Sequence, residues 1–133
     1  MIRAIHAGAV VEAVVGILER GIGKGRAYNL AQEESWSHDQ LVEAIAARLG
    51  AQAGVVRRSR AELLGAGLYP TCAPLAHPWM SVLDPGRAVR ELGFQPGRFQ
   101  DWLPATVDRL AEEPTPDGFD VLRAKEARMA GGE

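Results

Sequence analysis

The run WSHDQLVEAIAARLG, residues 36–50, most restricts how this chain can fold, because it marks a helix at both ends. Ser37 stands at an N-cap position with Gln40 three residues on, the reciprocal pairing that satisfies two free N–H groups of a first helical turn. Trp36 before the cap and Leu41 after the first turn have the spacing of a hydrophobic staple. Leu41, Val42, Ile45 and Leu49 recur on one face, and Gly50 can take the left-handed conformation that ends a helix. The spacing predicts a helix over residues 38–49, buried along that stripe.

Similar reasoning divides the rest of the chain. Val10, Val11, Val14, Val15 and Leu18 recur at helical spacing over residues 9–20, and Gly21 can stop that helix. After the turn GIGKG, the segment RAYNLA alternates, with Tyr28 and Leu30 opposite Ala27 and Asn29, as in a short strand. Val55 and Val56 predict a second strand. Ser59 and Glu62 form a second capping box, for a brief helix ended by Gly65 and Gly67. Pro70, Pro74 and Pro78 make YPTCAPLAHP an irregular loop, and WMSVLD after it reads as a third strand. Asp84 is placed to cap a helix with Pro85 in its first position and Gly93 at its end. A helix near Phe99 carries the stripe Leu103, Val107 and Leu110, with Pro104 expected in its first turn. Residues 119–129 carry a weaker helical pattern before a frayed Gly-Gly-Glu end. The expected class is α/β, mainly helical with a few short strands.

At 133 residues the chain is sized for one core, a body over 1–113 with a helical tail over 114–133. Its formal charge of −2 provides no basic footprint for nucleic acid or an anionic membrane. The cationic residues are thirteen Arg against two Lys, which most simply reflects a GC-rich gene. Cys72 is the only cysteine, so no intrachain disulfide forms and a reducing compartment is expected. Glu12 interrupts the apolar opening run, no small-x-small cleavage site follows, and the run is too short to span a bilayer. The cytoplasm is the expected location, with no membrane partner.

Few residues carry recognisable chemistry. Asn29 reads either as a pocket residue or as a side chain bonding local backbone. Arg57 and Arg58 could grip an anion by bidentate contacts, or form a solvated pair. Tyr69, His77 and Trp79 lie in and beside the proline-rich loop, the segment best placed to line a pocket. Cys72 and His77 are too few for a metal site, and nothing near Cys72 would activate its thiol. His6, His38 and the pairs Glu33-Glu34 and Glu112-Glu113 read as structural or solvated.

Taken in order, IHAGAVVEAVVGILERG, GRAYNLAQEESWSHDQLVEAIAARLG and LDPGRAVRELGFQP resemble the C-terminal half of NAD-dependent epimerase/dehydratases, the extended short-chain dehydrogenase/reductase family. The resemblance covers residues 2–113. It implies the substrate-binding part of an extended Rossmann-type enzyme whose cofactor half is missing from this sequence. Family catalysis uses Tyr-x-x-x-Lys and a Gly-rich loop that holds the NAD pyrophosphate. Here Tyr28 is followed by Gln32 and Tyr69 by Ala73, while Gly21, Gly23 and Gly25 follow a helix instead of a strand. The expectation is therefore no catalytic residue, no metal and no cofactor bound by this chain alone, with NAD or NADP belonging to the full-length protein. Substrate contacts are expected from Asn29, Arg57, Arg58, Tyr69, His77 and Trp79. Two departures stand out: Gly8 and Ala9 replace the family's acidic helix cap, and its phosphate-binding "p.R.gD" segment is absent. The implied partners are a small-molecule substrate and either a cofactor-binding half or further copies of the chain. The alternative is a free-standing binding or interaction module that kept the family's tail without its chemistry.

Overall fold

Six helices and one isolated antiparallel bridge, Ile2 with Trp36, make up the regular structure among the described residues, 1–70 and 82–131, of the computed structural model. The helices are α1 (Ala7–Arg20), α2 (His38–Arg48), α3 (Arg60–Gly65), α4 (Gly86–Leu92), α5 (Phe99–Ala111) and α6 (Phe119–Gly131). The class is α-rich.

Both capping boxes form. The Ser37 hydroxyl accepts the Gln40 N–H at 3.1 Å while the Gln40 side-chain oxygen accepts the Ser37 N–H at 2.8 Å. Ser59 and Glu62 repeat this at 3.3 Å and 2.7 Å, and hydrogen bonds donated to the Glu62 carboxylate by the Ser59 hydroxyl and N–H hold it below its ordinary range. Ser37→Ala is expected to destabilise the fold by about 1 kcal/mol. Chemical denaturation would show this as a lower midpoint; an unchanged midpoint would mean that α2 starts without its cap. Trp36, just before the cap, stacks on Phe99, with ring centroids 4.4 Å apart. The α2 stripe is also shorter than expected, because the helix ends at Arg48 and Leu49 is an exposed C-cap.

Helix α1 corrects two expectations. It starts at Ala7 and does not lack a cap, because His6 Nδ1 accepts the Gly8 N–H at 3.2 Å. Its inner face is not the valine stripe. Ala13 is the buried residue, with Ala9 and Ile17 packed beside it against Ala88, Leu92 and Phe94. Alanines let α1 approach α4 closely, so Val11 (60% exposed), Val14, Val15 and Leu18 (75% exposed) turn outward.

None of the three expected strands forms among the described residues. Tyr28 and Leu30 do pack against the α1–α4 core while Ala27 and Asn29 are exposed, so the alternation of RAYNLA predicts which side chains face inward. Among the described residues no neighbouring backbone pairs with residues 27–31, and a strand exists only through such pairing. Val55 and Val56 are exposed and irregular, as are residues 82–84; residues 79–81 of the third segment lie outside the described residues.

The second packing unit joins α2 to α5. Phe99, Leu103 and Val107 are its buried stripe, and Leu110, expected inside, is 51% exposed. Arg48 clamps Asp108 with two hydrogen bonds, one of 2.6 Å, and this contact holds the Asp108 carboxyl below its ordinary range. Pro104 lies inside α5, beyond the first turn. It cannot donate to the Gln100 carbonyl, an interruption that the buried residues on either side outweigh. Two carboxylates hold the start of α5: Asp101 accepts the Arg98 N–H at 3.1 Å and Glu34 accepts the Phe99 N–H. Glu34 is thus a helix anchor, not a solvated turn residue. At α4, Pro85 is the N-cap residue instead of the first helical one, and Asp84 accepts the Gly86 N–H at 2.8 Å. Helix α6 buries no residue fully and is tied back through Arg58, which donates to the Met129 carbonyl at 2.6 Å.

Candidate functional site

The residues expected to contact substrate are spread over several elements. Asn29 is exposed and its amide donates to the Asp84 carbonyl at 3.4 Å, the backbone-bonding role, which ties residues 27–31 to the loop before α4. Arg57 pairs with Asp39 in the first turn of α2. Arg58 reaches instead to α6, with a further 3.2 Å bond to the Arg57 carbonyl. The two guanidinium groups therefore serve different elements and do not converge on one anion. Tyr69 is half-buried, with the Arg60 guanidinium 4.9 Å from its ring centroid in a cation–π contact. His77 and Trp79, with Cys72, lie outside the described residues.

Around Tyr28 a polar cluster forms that joins distant segments. Its hydroxyl donates to Glu91 at 2.9 Å, and Arg87 donates to the Ala27 carbonyl at 3.3 Å. Partial burial, then the neighbouring Glu91 carboxylate, raises the Tyr28 phenol above its ordinary pKa. A phenol shifted upward stays protonated at neutral pH, so Tyr28 is a donor that anchors its segment to α4.

A further concavity lies elsewhere, between the start of α1 and one face of α5. It is an open cleft of about 450 Å³, lined by Ile5, His6, Ala7, Trp102, Ala105, Thr106 and Arg109. The His6 and Trp102 ring centroids are 5.8 Å apart, and the Thr106 hydroxyl donates to the Trp102 carbonyl at 3.0 Å. The Trp102 indole N–H is buried without a hydrogen-bond partner. A smaller recess of about 180 Å³ lies between α1 and the end of α4, beside Arg20, whose guanidinium bonds the Gly16 and Leu92 carbonyls. No group of three or more potential metal ligands occurs among the described residues.

Sequence reasoning overlooked the larger cleft. Trp102, Thr106 and Arg109 fall at i, i+4 and i+7 of α5, a spacing that was there to be read. What the sequence lacks is any sign that His6, over ninety residues earlier, packs beside Trp102. No protein-family model, no curated protein and no solved structure matches this chain.

Proposed function

We propose that this chain is the substrate-binding portion of an NAD-dependent epimerase/dehydratase-like protein, acting on a nucleotide sugar or a related hydroxyl- or carbonyl-bearing substrate, without catalysis of its own. One observation carries the reading beyond the motif order. Residues 27–31 seat Tyr28 and Leu30 in the core yet have no ladder partner among the described residues, and α1 beside them turns four apolar residues to solvent. Both features suit a surface built to meet another folded body. A cofactor-binding half would supply it, with NAD or NADP held there; in its absence a second copy would cover the same face. No described helix is long and apolar enough to cross a membrane.

The gene neighbourhood tests the reading directly. The expected finding is an upstream in-frame or adjacent segment bearing G-x-x-G-x-x-G and Tyr-x-x-x-Lys. Calorimetry on the chain alone should detect no NAD or NADP binding at micromolar concentration. Gly21, Gly23 and Gly25 follow α1 in a turn, so the described residues hold no Gly-rich strand-to-helix loop to cradle a pyrophosphate. Micromolar binding would reject the assignment.

The free-standing module draws support from His6, which gives α1 a start of its own where the family relies on an acid. An upstream region without the two motifs would favour that alternative.

A further inference from the structure

The cleft between α1 and α5 stands apart from the epimerase/dehydratase reading, since Asn29, Arg57, Arg58 and Tyr69 do not line it. Charge in its wall has one sign. Arg109 contributes a guanidinium that has no partner among the described residues, and none of their Asp or Glu side chains lines the cleft. His6 adds a donor. Its Nδ1 accepts the Gly8 N–H, so the neutral ring carries its proton on Nε2, which also has no partner among the described residues. Helix α1 has no acidic residue in its first turn, so only the His6 cap meets the positive end of its dipole beside Ala7. The Thr106 hydroxyl has given its proton to the Trp102 carbonyl and can only accept. Ile5, Ala105 and the Trp102 ring supply the apolar wall.

We propose that this cleft binds a small carboxylate with an aromatic or acyl body, the carboxylate on Arg109 and His6 and the body against Trp102. The volume, about 450 Å³, falls in the range of small-molecule sites. A single guanidinium beside one ring N–H donor suits a monoanion better than a phosphate dianion, and the tryptophan face suits a flat or extended apolar body.

The test is ligand-observed NMR on the full chain with benzoate as probe, benzyl alcohol as its uncharged counterpart and inorganic phosphate as charge without an apolar body. Benzoate should bind saturably with a Kd of roughly 1 mM, and benzyl alcohol and phosphate at least about tenfold more weakly. Arg109→Ala should weaken benzoate at least about tenfold, the effect of losing one charge-assisted contact, while Arg109→Lys keeps part of the affinity. Arg109 is exposed, and circular dichroism would confirm that both variants fold. Absence of saturation, equal binding by Arg109→Ala, or phosphate binding as tightly as benzoate would each overturn the proposal. None of these outcomes depends on the cofactor-binding half, so this proposal can fail while the functional reading stands.

Discussion

Phe99→Ala is expected to cost about 3–5 kcal/mol, a large share of the roughly 5–15 kcal/mol that holds a typical domain folded. Phe99 is fully buried, at 0% exposure, and ties α5 to residues 34–36. Its ring stacks on Trp36 before α2 and tilts against Trp102 with centroids 5.3 Å apart, and its N–H is held by Glu34. Truncation would leave a cavity that neither indole can fill without leaving the other contacts it makes. The denaturation midpoint should fall sharply or the transition lose its cooperativity. Phe99→Leu, which restores most of the volume, should recover most of that loss. A midpoint unchanged in Phe99→Ala would show that the aromatic stack does not support the fold.

The second large effect concerns association. Size-exclusion chromatography with light scattering at micromolar concentration should give a mass above the 14.3 kDa of one chain. Val11, Val14, Val15 and Leu18 form a continuous outward stripe at i, i+3, i+4 and i+7, a spacing that helices use to pack against one another. Placing charge there, as Val14→Glu with Leu18→Glu, should return the chain to 14.3 kDa without touching Ala9, Ala13 or Ile17 on the inner face. A monodisperse wild-type monomer that unfolds cooperatively would reject the expectation and favour the free-standing module. A mass unaltered by the double substitution would move the interface away from α1.

The candidate cleft was only half legible. Trp102, Thr106 and Arg109 share one face of α5 by helical periodicity alone, whereas their meeting with His6 depends on how α5 lies against the start of α1. The arginines 57 and 58 run the other way. Adjacent in sequence, they left open an anion grip or a solvated pair, and each meets its own acceptor, Asp39 and the Met129 carbonyl. Adjacent residues in an irregular segment need not point together, and a guanidinium takes the nearest acceptor the fold offers.

What the sequence determined by itself are the features closed within a few residues. The capping boxes at Ser37 and Ser59 form as read, and Gly21 and Gly93 end their helices with φ of 62° and 66°, where glycine carries no Cβ penalty. Tertiary structure decided which face of each helix went inside. In α1 the larger valines predicted the buried side, yet close approach to α4 selected Ala9 and Ala13, because small residues allow two backbones near each other. In α5 it kept Pro104 inside a helix, since Phe99, Leu103 and Val107 gain more by burial than one lost backbone bond costs. Among the described residues it also left RAYNLA without a backbone partner: alternation specifies which side chains face inward, but a strand needs a neighbour, and no short stretch of sequence supplies its own.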